Sequence, residues 1–199
     1  MRIEWFADTR TEHFWRKLML AVQTAFVGLF LTTVGLVGGT AAASKQSEPP
    51  PAAHARDGEL STLVLITSDT DWLEKWNTPA SSIPQFSTAK ELKTGEAATV
   101  LVLLSGLTPA NGRLKALCAI EIRQPDGVIQ AVPETACYDE MSLGQRKNML
   151  MADARVEFKV EQGDPDGLWL FRIIVKDAFS SSRTASEVSV RVIAEGARP

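Results

Sequence analysis

Cys118 and Cys137, the carboxylates Asp69, Asp71, Glu74, Asp164 and Asp166, and the tryptophans Trp72 and Trp76 are the residues whose types and spacing invite a chemical reading. The cysteines have 18 residues between them and no Cys-x-x-Cys spacing. A structural disulfide is therefore expected, ahead of a redox-active pair or a thiolate metal site. Closing such a loop stabilises a fold by about 3 kcal/mol by restricting the unfolded chain. The carboxylates offer the hard oxygens that Ca²⁺ requires, but without the EF-hand spacing. Asp164-Pro165-Asp166-Gly167 reads more simply as a turn whose carboxylates accept backbone N–H groups. As a glycosidase pair, two carboxylates would need one acid raised in an apolar pocket and one kept ionised, and no residue pattern marks such a pocket. The two histidines, His13 and His54, precede the region that patterns as a folded domain. With no Gly-x-Ser-x-Gly elbow, no nucleotide fingerprint and no reactive cysteine context, the expectation is a non-enzyme with no cofactor and no metal.

Recognition is the other possibility. Trp72 and Trp76 share a face if Asp69 to Asn77 forms a helical turn or two. They then either make an exposed aromatic platform for a glycan or peptidoglycan or cover one end of a hydrophobic core. The stretch from Tyr138 to Met151 mixes Met141, Leu143, Met149 and Met151 with charges, a composition suited to an adaptable protein contact. It reads equally as a loop whose apolar residues fold back.

The elements that must position these residues alternate with the period of strands. Ala98, Val100, Val102 and Leu104 form one row, and the row between them, Thr99, Leu101 and Leu103, is also largely apolar, so this strand is expected to be covered on both faces. Leu114, Ala116, Cys118, Ile120 and Ile122 alternate with Lys115, Glu121 and Arg123, which turns Cys118 inward. Ser61 to Thr67, Val128 to Val132, Val156 to Val160, Trp169 to Val175 and Val188 to Val192 complete about seven strands. Asn111-Gly112, Pro125-Asp126-Gly127 and Gly163-Asp164-Pro165-Asp166-Gly167 supply the turns. The pattern is that of an all-β antiparallel sandwich, with residues 138–150 as a long loop.

Ahead of it, Leu18 to Ala43 holds no charge, and residues 18–38 are apolar enough to cross a membrane. Arg16 and Lys17 precede this segment and the first base after it is Lys45, which keeps the N-terminus cytoplasmic and exports the remainder. Thr40-Ala41-Ala42-Ala43-Ser44 offers a signal-peptidase site after Ala43, while the length of the apolar segment suits a retained anchor in the inner membrane. Residues 1–43 thus read as an apolar helix serving as signal peptide or anchor, 44–58 as a Pro/Ala-rich linker, 59–195 as the sandwich and 196–199 as a tail. The net charge of −3, with acids and bases interspersed, argues against nucleic-acid binding.

The turn Gly163-Asp-Pro-Asp-Gly-Leu-Trp169 leading into Phe171-Arg-Ile-Ile-Val-Lys-Asp177 resembles the last hairpin of bacterial immunoglobulin-like domains. Asp71-Trp72, Trp76-x-Thr78-Pro79, Pro84, Gly95, Cys118, Arg123-x-Pro125-Asp126-Gly127 and Cys137 together resemble a family of exported bacterial proteins with a single immunoglobulin-like β-sandwich domain. The likeness covers about residues 60–193 and implies fold and export, with no activity attached. The short Cys118 to Cys137 spacing departs from the long-range bridge of antibody domains, so no immune-type binding mode is implied. The expected protein is a non-catalytic component of the periplasm or cell envelope that presents its domain to an envelope protein, as an accessory subunit of a surface or secretion assembly. A glycan binder using Trp72 and Trp76 is the alternative, and a carboxylate-dependent hydrolase stands behind both.

Overall fold

The computed structural model describes residues 2–6 (backbone only), 48–78, 83–141 and 149–193. Its strands are β1 (Arg2–Phe6), β2 (Ala52–Asp57), β3 (Leu60–Thr67), β4 (Glu91–Lys93), β5 (Ala97–Ser105), β6 (Arg113–Arg123), β7 (Ile129–Met141), β8 (Leu150–Met151), β9 (Arg155–Lys159), β10 (Gly167–Asp177) and β11 (Arg183–Ile193). One short helix, α1 (Trp72–Trp76), joins them. They form two sheets, one ordered β1-β9-β5-β3-β2 with β8 also paired to β5, the other β4-β11-β10-β6-β7. All pairings are antiparallel except that of β4 with β11.

Period-two alternation closes the two sheets on one core. Val64, Ile66, Val100, Val102, Val156 and Phe158 come from the first sheet, and Cys118, Ile120, Ile122, Phe171, Ile173 and Val188 from the second. Phe158 and Phe171 meet between the sheets with ring centroids 5.1 Å apart. Trp169 is fully buried, and its indole Nε1–H donates to the Pro165 carbonyl at 3.1 Å, so the Asp-Pro-Asp-Gly turn also satisfies the polar atom of the largest core side chain.

All seven expected strands are present, as β3, β5, β6, β7, β9, β10 and β11, and four further ones join them. The segment read as a linker, 44–58, enters the fold at Pro49. Ser189 of β11 donates its backbone N–H to the Pro50 carbonyl at 3.1 Å and its hydroxyl to the Pro49 carbonyl, while Ile66 of β3 donates to Pro51 at 2.9 Å. Prolines lack an N–H but keep their acceptors, so this proline run ties the two sheets together. β2 follows as an edge strand and needs no large apolar residue, because the β3 backbone supplies its pairing. Its turn carries Gly58 at φ +58° as the first central residue, the position for which glycine is favoured. Gly106 is equally constrained: at φ +73°, a Cβ there would stand 1.8 Å from the Glu59 carbonyl oxygen.

The expected loop 138–150 is also shorter than read, since β7 runs on to Met141 and β8 begins at Leu150. Tyr138 lies inside β7, opposite Ala116, and is buried. The apolar segment 18–43 and the tail 196–199 lie outside the described residues. Among the described residues no helix is long and apolar enough to cross a membrane.

Candidate functional site

β5 is covered on both faces, and its second covering is a separate apolar cluster on the outside of the sandwich. Leu65, Leu101 and Leu103 project outward from β3 and β5, and Trp72, Trp76, Phe86 and Met151 pack over them. The helical spacing brings Trp72 and Trp76 to one face as expected, but they cap the outer face of a sheet and not an end of the main core. Met151 belongs to the same cover, which separates it from Met141 and Met149.

Ionic contacts anchor this cover. Lys75 Nζ lies 2.9 Å from Asp69 Oδ2 and 3.2 Å from Asp71 Oδ1, and Ser87 donates its backbone N–H to Asp69 Oδ2 at 2.8 Å. Burial pushes the Asp69 carboxyl upward, but the bonds from Lys75 and Ser87 outweigh it and hold the group below its ordinary value. The Asp69 hydrogen bond in turn raises Lys75. Arg155 of β9 places its guanidinium carbon 5.1 Å from the Trp72 ring centroid while its Nε donates to Glu157 Oε1 at 2.8 Å. Beside Trp72 a cleft of about 490 Å³ is lined by Thr67 to Thr70, Ala97 to Thr99 and Glu157 to Lys159. It therefore offers one indole, two carboxylates and an ammonium to a polar ligand.

Exposed methionines stand at the end of β7 and just before β8. Met141 is 56% exposed and Met149 is 40% exposed. Leu143 lies outside the described residues. Close by in β7, Asp139 receives Arg113 Nε and, at 3.1 Å, Lys115 Nζ, and the Arg113 bond holds its carboxyl below the ordinary range. Tyr138 donates to Glu140 Oε2 at 3.0 Å, and burial, then Glu140, push its phenol up to about 12. Cys118 and Cys137 form a disulfide between the neighbouring strands β6 and β7, with Cα atoms 5.5 Å apart and both residues buried. The bridge thus staples one sheet beside the register shifts that separate the β6 and β7 pairings.

Of the remaining candidate carboxylates, Asp164 serves local structure. Asp164 accepts the Glu161 backbone N–H at 2.6 Å. Among the described residues no group of three His, Cys, Asp or Glu side chains could hold a metal ion. Arg155, Glu157, Lys159 and Phe86 carry no site signal in the sequence, where they are only the polar row of a strand and an isolated aromatic. The alternation Arg155-Glu157-Lys159 was visible, but its neighbour across the sheet was not.

No protein-family model matches the chain, and no curated protein matches it. Among solved structures it is similar to a family 123 glycoside hydrolase from Clostridium perfringens, at 8% identity and a TM-score of 0.41, over 69% of this chain and 27% of that one. It is also similar to the alkylpurine DNA glycosylase AlkC of Pseudomonas fluorescens, at 14% identity and a TM-score of 0.33, over 51% of this chain and 27% of that one. The chain spans about a quarter of the length of each of these structures.

Proposed function

We propose that this chain is an exported, non-catalytic component of the periplasm or cell envelope whose immunoglobulin-like domain binds another envelope protein. The carrying observation is that Met141, the last residue of β7, and Met149, just before β8, are both exposed, while Met151 two residues on is packed into the outer cluster. Flexible, polarizable thioethers exposed to water suit an adaptable protein contact. The buried disulfide supports an oxidising compartment. The test is cross-linking of the C-terminally tagged chain in its native envelope, followed by mass spectrometry. A reproducible partner captured by the wild type and lost with Met141→Ala/Met149→Ala is expected, and equal capture by both overturns the assignment to this surface. The intact mass distinguishes cleavage after Ala43 from a retained anchor.

A second reading rests on the cleft beside Trp72, whose indole and charged rim suit a glycan. Titration with purified peptidoglycan fragments would change Trp72 fluorescence under this reading, and an unchanged spectrum removes it.

A further inference from the structure

β9 has β5 on one side and β1 on the other, so its outer edge is filled by residues 2–6 of the same chain. The register runs Arg2↔Lys159, Ile3↔Phe158, Glu4↔Glu157, Trp5↔Val156 and Phe6↔Arg155. Val160 exchanges backbone hydrogen bonds with Gly95 and Glu96 on the β5 side. By alternation the backbone groups of Arg155, Glu157 and Lys159 therefore point the other way, toward β1. Export as proposed above is incompatible with this pairing. A signal peptide removed after Ala43 takes residues 2–6 away, and a retained anchor leaves them across the bilayer from β9.

We infer that the β9 edge is a strand-acceptor site, closed by β1 before export and afterwards filled by an extended segment of a partner protein. The occupant's chemistry follows from the register. Two of the five β1 positions set like charges opposite each other, Arg2 against Lys159 and Glu4 against Glu157, an arrangement that weakens a strand pair. β1 is thus a displaceable occupant. A well-matched strand carries an acidic residue opposite Lys159, a basic one opposite Glu157 and an acidic one opposite Arg155, with apolar residues opposite the inward-facing Phe158 and Val156. Glu157 already accepts from Arg155 at 2.8 Å, so Lys159, the exposed end of the row, carries most of the selectivity. Backbone pairing supplies affinity and the alternate side chains supply choice.

This inference rests on the export reading for how the edge opens, but its test does not. In the full chain, Glu4→Pro removes the central β1 donor and frees the edge. Hydrogen exchange then reads the amides of Arg155, Glu157 and Lys159. They should exchange at least about tenfold faster in Glu4→Pro than in the wild type. Protection should return on adding the capped peptide Glu-Ile-Lys-Val-Glu, which should bind about tenfold tighter than Lys-Ile-Glu-Val-Lys. Lys159→Glu in the same background should reverse that preference. Equal exchange in wild type and Glu4→Pro, or equal binding of the two peptides, overturns the site. A chain that binds the first peptide as expected but is found only in the cytoplasm keeps the acceptor site and overturns export.

Discussion

The guanidinium of Arg155 stands 5.1 Å from the centre of the Trp72 ring, linking strand β9 to the helix that caps the outer face of the first sheet. Two elements distant in sequence thereby meet at the cleft and beside the strand edge.

That contact predicts a measurable role for Arg155. Arg155→Ala should lower stability by about 1 kcal/mol, through the lost cation–π contact, and should shift Trp72 emission. Arg155→Lys should recover part of both effects. Urea unfolding followed by fluorescence, in a background where Trp76 is replaced by Phe, reads them together. A wild-type spectrum and midpoint in Arg155→Ala would show that the contact does not form in solution.

Asp177 ties the end of β10 to two turns. Its carboxylate accepts the Thr108 N–H at 2.9 Å, the Phe179 N–H at 3.0 Å and the Ser180 hydroxyl at 2.8 Å. Burial raises the carboxyl, but these bonds outweigh it and leave it below its ordinary value of 3.8. The folded value being the lower one, the stabilisation is complete above the unfolded value and is lost as pH falls through the folded one. Asp177→Asn should cost about 1 to 3 kcal/mol at neutral pH and flatten the decline of stability below about pH 4. Urea midpoints across that range test both. An unchanged slope would assign the acid sensitivity to another group.

Gly106 is held at positive φ against the Glu59 carbonyl. Gly106→Ala should destabilise the domain by about 3 kcal/mol, because the clash is with backbone and cannot be relieved by a rotamer change. Gly95 also has positive φ, but nothing lies within 4 Å of a Cβ placed there. Gly95→Ala should therefore cost only about 1 kcal/mol, the strain of its dihedral. Thermal unfolding of the two variants separates close approach from backbone strain.

Removing the disulfide by Cys118→Ser/Cys137→Ser should lower stability by about 3 kcal/mol. Non-reducing peptide mapping of protein taken from its native compartment should find the two cysteines in one linked peptide pair. Two free thiols would instead point to a reducing compartment and count against export.

The strands were legible wherever one face is wet and the other dry, because a side-chain period of two records that contrast directly: β6, β9 and β11 are cases. The double covering of β5 was legible too, since Leu101 and Leu103 had to be buried by something, as was the inward turn of Cys118. The cover itself was not. A helix of five residues carries too little periodicity to say whether Trp72 and Trp76 lie over an end of the core or over an outer face, and only the packing of β3 against β5 chose. β2 and the proline run were missed for a related reason. Their place depends on backbone acceptors bonding to Ile66 and Ser189, and backbone groups leave no signature in side-chain type. Composition and alternation alone determined that this chain makes an all-β domain with a dry core and an inward-facing cysteine. Tertiary structure decided which strands neighbour which, and with that the meeting of Arg155 with Trp72 and of residues 2–6 with β9, because contacts between residues 80 or 150 apart are set by how two sheets close and not by local spacing.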